Sequence, residues 1–293
     1  MSDLAAQRQF YAEEVQMAGG LKSAALVDAL ATVPRERFLP PGPWTIKSEA
    51  DFGGGLPRQT PDADPRRVYH NVAIAIDLPR NLFNGNPSLL GMAIDTLGLT
   101  PGGRALHIGA GTGYYTALMG ACVGASGRVL AIEADEALAA RAKANLASMP
   151  WIETHHGDGM SAFGESFDAI LVNAGVTHPP DVWLDALAPG GRMILPLTAT
   201  LAPMAPTSPM ANIGKGLLLM LTRTDDPASM TAQMVTFLAI FNAVGARDDA
   251  LNAELGKALQ KMPFPPLKRL RRDAHEREDG CWLHGPAFCL TTV

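Results

Sequence analysis

The order of apolar and polar positions divides the chain into a helical beginning, an alternating middle and an irregular end. From Leu4 to Leu30 apolar residues recur at helical spacing, interrupted at Gly19-Gly20, with Leu26, Val27, Leu30 and Val33 on one face. The prolines of "VPRERFLPPGP" stop that pattern. Residues 41–70, rich in Gly, Pro, Asp and Arg, read as loop, and "YHNVAIAIDLP" reads as a short extended segment. "PSLLGMAIDTLGLTPGG" predicts a helix with Pro87 at its start and Gly98 at its end.

Strands and helices then alternate. Strand 104–108, helix 113–123, strand 128–133 and helix 135–147 are followed by strands at 151–155, 168–173 and 192–197, with a helix near 180–188. This rhythm predicts an α/β protein with a mostly parallel sheet flanked by helices. Two strand-like runs, "GRMILPL" and "GLLLMLTR", bracket a Pro/Met-rich loop at 201–216. A helix around 248–261, a Pro-rich break, the charged "LKRLRRDAHERED" and "CWLHGPAFCLTTV" complete the chain, and no internal repeat is present. Three segments result: an N-terminal helical and loop segment (1–75) packing on the core, the core itself (76–222), and a C-terminal extension (223–293) expected to complete the sheet and shape the substrate side.

Composition narrows the classes. With 293 residues, 47% hydrophobic and 18% charged, the chain can bury a large core and does not read as disordered. A net charge of −5 and a pI of 5.8 argue against a nucleic-acid partner. Cys122, Cys281 and Cys289 are odd in number and scattered, so no disulfide framework is expected. The N-terminal "MSDLAAQRQFYAEEVQ" lacks the basic and apolar regions of a signal peptide, and no apolar run suits a bilayer. A cytoplasmic protein with no membrane partner is expected, its oligomeric state left open.

The chemistry centres on "RALHIGAGTGYYTALMG". Gly109, Gly111 and Gly113 form a bare strand-to-helix turn that can lie against a cofactor. A dinucleotide fingerprint would need its third glycine at position 114, which is Tyr114, and no Tyr-x-x-x-Lys occurs, so a nicotinamide oxidoreductase is disfavoured. The denser glycine spacing is that of S-adenosylmethionine sites. Glu133 ends the next strand 20 residues beyond Gly113, where an acid can accept from both ribose hydroxyls. Asp158 and Gly159, in "HHGDGM", follow a third strand; Asp158 can accept from an adenine amino group or serve only as a turn residue. Asn173, ending "FDAILVN", would border the cofactor's reacting side.

In this order, "VPRERFLP", "ALHIGAGTGYYTALM", "VLAIEAD", "GDG", "FDAILVNAG" and "LAPGGRMILPL" resemble the protein-L-isoaspartate O-methyltransferase family, from about residue 24 to residue 222. The resemblance implies a Rossmann-like class I methyltransferase with a seven-stranded-type sheet and S-adenosylmethionine (AdoMet) as methyl donor. It places Gly109, Gly111 and Gly113 along the cofactor, Glu133 at the ribose and Asp158 at the adenine edge. It also implies carboxyl O-methylation of a protein, peptide or small carboxylate. The alternatives are methylation of another acceptor and a non-catalytic descendant that binds AdoMet.

Two departures stand out. Where the family carries an acid that helps orient the methionine ammonium, this chain has His107, either a neutral hydrogen-bond acceptor or an interior histidine. On the substrate side, Phe83 and Gly85 replace the family's threonine and serine. The segment "NLFNGNPS" offers Asn81, Asn84, Asn86 and Ser88 instead, of which Asn84, Asn86 and Ser88 are the candidates for substrate binding. A turn with a helix cap explains the same residues. Carboxylate methylation needs no base; another acceptor would, and His178 and His70 are the candidates, His178 also reading as a surface-loop histidine.

Other signals are set aside. Cys281, His284 and Cys289 are irregularly spaced, no fourth ligand is paired with them, and strand alternation explains them, so no metal is expected. The charges of "LKRLRRDAHERED" nearly cancel and read as a solvated surface. No [DN]-P-P-[YF] motif occurs, which removes the usual mark of amino-group methylation on bases.

Overall fold

The computed structural model describes residues 3–48, 57–200, 212–261 and 263–293. The elements run α1 (Asp3–Gly19), α2 (Ala24–Thr32), β1 (Thr45–Lys47), β2 (Arg58–Gln59), β3 (Ala73–Asp77), β4 (Leu82–Phe83) and α3 (Pro87–Leu97). The alternating region follows as β5 (Arg104–Ile108), α4 (Tyr114–Val123), β6 (Arg128–Glu133), α5 (Glu136–Leu146), β7 (Ile152–His156), β8 (Phe167–Val172) and α6 (Asp181–Asp185). Then come β9 (Leu187–Ala199), β10 (Ile213–Arg223), β11 (Ser229–Phe241), α7 (Asp249–Leu259), β12 (Arg269–Arg271), β13 (Cys281–His284) and β14 (Cys289–Thr291). Among the described residues no helix is long and apolar enough to cross a membrane.

The chain forms two units interleaved in sequence, Met1–Gly103 with Ala110–His156, and Arg104–Gly109 with Gly157–Val293. In the first, a four-stranded sheet ordered β2-β1-β3-β4 is antiparallel, while β6 and β7 pair in parallel. Local chemistry sets the helix ends. Asn86 caps α3 through the amides of Ser88 and Leu89, Pro87 opens it, and Gly98 closes it in the left-handed region. Asp135 caps α5 through the amide of Leu138.

Arg35, from the "VPRERF" motif, is fully buried in this unit. It donates to the carbonyls of Val68, His70 and Val72 at 2.7–2.9 Å, and its guanidinium lies 5.4 and 5.7 Å from the rings of Tyr11 and Tyr114. Carbonyls and aromatic faces thus replace the water that the cation gave up.

In the second unit the strands run β13-β14-β12-β11-β10-β9-β8-β5. β5, β8 and β9 are parallel, and every pairing beyond β9 is antiparallel, so this sheet is mixed. The parallel strands are near-continuous apolar runs, as burial on both faces requires. In β5, Ala105, Leu106, His107 and Ile108 are all buried, and His107 is the one polar side chain among them.

The α/β expectation is met, with local differences. Residues 41–70 carry β1, β2 and a 3-10 turn at Pro65–Val68, because short edge pairs need no apolar run of their own. The predicted strand 192–197 extends over Leu187–Ala199, absorbing Pro189-Gly190-Gly191 at an irregularity in its pairing with β8. β11 was not anticipated, since its buried and exposed positions do not alternate cleanly. Of the expected loop at 201–216, residues 201–211 lie outside the described residues, and β10 begins at Ile213.

Candidate functional site

The three loop glycines all have left-handed backbones, with φ of +82° at Gly109, +58° at Gly111 and +93° at Gly113. Each meets a different constraint. A Cβ at Gly109 would lie 3.1 Å from the carbonyl oxygen of Asn173. One at Gly113 would lie 2.9 Å from Cδ1 of Leu146 on α5. At Gly111, among the described residues, only Ile76 Cδ1 comes near, at 3.7 Å, so packing against them does not demand glycine there. Its backbone does, and the residue stays bare where a ligand would need the approach.

Glu133 controls this turn from within the first unit. Its Oε2 accepts from the Gly111 amide at 2.6 Å and its Oε1 from the Asp135 amide at 3.0 Å, and the residue is buried. A carboxylate offers about four lone-pair directions, so each oxygen retains one for a hydroxyl. Asn145 adds a hydrogen bond from Nδ2 to the Thr112 carbonyl at 2.9 Å. Arg80 ties the same region to β3, pairing with Asp77 at 2.8 Å and with Asp135.

The second unit holds the remaining candidates. Asn173 donates from its backbone to Ile108 at 2.8 Å and from Nδ2 to the Gly109 carbonyl at 3.4 Å, so it braces the start of the glycine turn. Asp158 is exposed and its Oδ1 accepts from the Met160 amide at 3.0 Å, which makes the turn while Oδ2 stays outside that bond. Gly159, with φ +73°, is buried, and its carbonyl accepts from Trp183 Nε1 at 2.7 Å. Burial pulls the His107 pKa down to about 3, so this imidazole is neutral and brings no charge to a cofactor.

In the segment expected to face the substrate, Asn86 and Ser88 spend their polar atoms on the start of α3. Asn86 Oδ1 accepts from the Ser88 amide, the Leu89 amide and the Ser88 hydroxyl at 3.0, 3.2 and 2.8 Å. Asn71, which sequence reasoning passed over as part of a strand, completes the network: Nδ2 donates to Ser88 Oγ at 3.0 Å and Oδ1 accepts the Ser88 amide at 2.9 Å. Asn84 differs. Its amide and Oδ1 pair with Ile74 on β3, both at 2.9 Å, while Nδ2 is buried with no hydrogen-bond partner among the described residues. Phe83 lies under Lys47, whose Nζ is 4.3 Å from the ring centroid and donates to Asn81 Oδ1 at 3.0 Å. No local signal marked Lys47, because a cation over an aromatic ring is a tertiary contact.

His178 follows β8, half-buried, with its Nδ1 3.1 Å from Thr177 Oγ1. Burial lowers its pKa, opposed by the carboxylates of Asp248 and Asp181. Its ring stacks on Phe288 with centroids 6.4 Å apart. His70 is exposed, and its carbonyl is what Arg35 uses.

Strand, glycine turn and helix, an acid closing the next strand, and an Asp-Gly turn after the third define a class I AdoMet methyltransferase. The sequence profile described as Protein-L-isoaspartate(D-aspartate) O-methyltransferase (PCMT) matches residues 57–206. A protein-L-isoaspartate O-methyltransferase of Methylorubrum populi is 34% identical over 200 residues, covering 67% of this chain and 81% of the relative. A solved protein-L-isoaspartate O-methyltransferase superposes with a TM-score of 0.63 at 23% identity, covering 87% of this chain and 71% of its own. A Plasmodium falciparum beta-aspartate methyltransferase (PCMT) in complex with S-adenosyl-L-homocysteine gives 0.57 at 16% identity, covering 81% and 98%. The chain belongs to the protein-L-isoaspartate O-methyltransferase family. It is an AdoMet-dependent O-methyltransferase acting on carboxyl groups.

Proposed function

We propose that this protein methylates the α-carboxylate exposed at isoaspartyl residues of proteins and peptides, with Asn84 taking over the role of the lost substrate-side hydroxyls. The observation that carries the proposal is the buried Asn84 Nδ2, a donor without a partner among the described residues, in the segment where Phe83 and Gly85 replace threonine and serine. A carboxylate is a suitable acceptor for such an amide.

The residues present suit AdoMet. A left-handed, side-chain-free turn at Gly111 admits an adenosyl group to the backbone, and Glu133 keeps lone pairs for ribose hydroxyls. The family resemblance assigns Asp158, with Gly159 beside it, to the adenine edge, and the sequence order gives Asn173 to the reacting side. When bound, the sulfonium supplies an electrophilic methyl and a neutral thioether leaving group. The acceptor is already an anion at neutral pH, so the protein needs to orient the oxygen and exclude water rather than remove a proton. His178 accordingly has no proton to take in this reaction, and its place is to shape the loop after β8.

The test is transfer of labelled methyl from AdoMet to two peptides identical except for isoaspartate or aspartate, read as base-labile volatile label. Label confined to the isoaspartyl peptide supports the proposal. Label on neither, with AdoMet binding shown by calorimetry, sends the search to another carboxylate.

A further inference from the structure

We propose that His275, Cys281, His284 and Cys289 form a tetrahedral zinc site that fastens the C-terminal extension. The ligand atoms of these four residues lie within 4.8 Å of one another, the one such group among the described residues. Tetrahedral Zn–S and Zn–N bonds put neighbouring ligand atoms roughly 3.3–3.8 Å apart. His275 Nε2 and Cys281 Sγ, at 3.5 Å, already meet that spacing. The others need at most about 1.5 Å of side-chain closure.

Strand geometry explains how irregular spacing yields one cluster. In a regular strand Cys281 and His284, an odd number of residues apart, would point to opposite faces. β13 carries a bulge: Cys281 pairs with Thr291 but Leu283 with Leu290, so Trp282 is the extra residue. The bulge brings His284 back to the Cys281 face, directly opposite Cys289. The fourth ligand comes from the preceding loop. Arg271 closes that loop through Asp273 at 2.6 Å and Glu278 at 3.1 Å.

The surroundings are those of ligands rather than of chance neighbours. His275 Nδ1 lies 3.0 Å from the Asp273 carbonyl, the outer hydrogen bond that fixes a ligating imidazole and leaves Nε2 toward the thiols. His284 Nδ1 is buried with no hydrogen-bond partner among the described residues. Both cysteines are buried and unpaired by a disulfide. Two thiolates and two neutral imidazoles balance Zn²⁺, and binding releases the two thiol protons to solvent. With all four positions filled by protein the site is structural, suited to β12, β13 and β14, which are only three or four residues long.

The full-length chain, purified under a thiol-free reductant without a histidine tag, is assayed for zinc by mass spectrometry after desalting. About one zinc per chain is expected, falling to background in Cys281→Ser/Cys289→Ser and unchanged in Cys122→Ser. Because the double variant can misfold, the metal-free wild-type chain is also titrated with Co(II), which should give tetrahedral ligand-field bands and a thiolate charge-transfer band that Zn(II) abolishes. Absence of both bound zinc and the cobalt spectrum in the reduced wild-type chain overturns the proposal, as does isolation of Cys281 and Cys289 as a disulfide that reforms in preference to binding zinc.

Discussion

The backbone amide of Gly111 donates to Oε2 of Glu133 at 2.6 Å, so the acid expected at the ribose is also the clasp of the glycine turn. A charge-assisted hydrogen bond of this kind contributes about 1.5–3 kcal/mol. Glu133→Gln replaces one acceptor oxygen with an NH₂ that must face either the Gly111 or the Asp135 amide. AdoMet affinity should fall about 10- to 100-fold by calorimetry, with turnover at saturating AdoMet much less affected. A Kd within twofold of the wild type would show that the carboxylate is not needed to shape or bind.

Gly113 tests the packing side of the same turn. An alanine there must adopt φ +93° and place Cβ 2.9 Å from Leu146 Cδ1. The left-handed backbone costs about 1–2 kcal/mol and overpacking a further 1–3. Denaturant unfolding of Gly113→Ala should show a loss of about 2–5 kcal/mol. The steric share should return in Gly113→Ala with Leu146→Ala, beyond the sum of the single effects. Strict additivity would place the whole cost in the backbone.

How legible all this was depends on the range of the interaction. β5 and β6 were readable to the residue because a buried parallel strand is a plain apolar run, and α3 because Pro87, Asn86 and Gly98 act locally. The glycine turn and Glu133 were readable from their spacing. The bracing of Gly109 by Asn173 was not, since it joins segments 64 residues apart. β12 hid inside "KRLRR" because Leu270 is its one buried position. The single extra residue at Trp282 reversed the face of His284, and no composition rule announces a bulge.

His107 predicts an acid sensitivity. Its folded pKa, about 3, lies below the ordinary 6.5 because burial disfavours the cation. The unfolded chain therefore binds a proton that the folded chain refuses. Stability from this group is fully present above about pH 6.5 and is lost as pH falls toward 3. Between pH 7 and pH 5 the loss is about 2 kcal/mol. Urea unfolding of wild type and His107→Gln at both pH values checks it: the drop should be smaller in the variant by about that amount, and parallel curves would mean the imidazole is protonated in the fold.

Asn84 separates substrate binding from scaffolding. Its backbone amide and Oδ1 hold Ile74, and a change to alanine would keep the backbone bond but lose the Oδ1 half of the pairing together with Nδ2. Asn84→Asp keeps an acceptor toward Ile74 and the side-chain volume but turns the donor into an oxygen, which repels an incoming carboxylate. If Nδ2 binds the substrate, KM for an isoaspartyl peptide should rise by about 10- to 100-fold, the range of one hydrogen bond to a charged group. The Kd for AdoMet should stay within about twofold, because this amide is proposed to hold the substrate and not the cofactor. A parallel loss of AdoMet affinity and thermal stability would instead assign Asn84 to the scaffold of β3. An unchanged KM in a folded variant would move the search for the carboxylate's partner to Lys47, which lies over Phe83 one residue away.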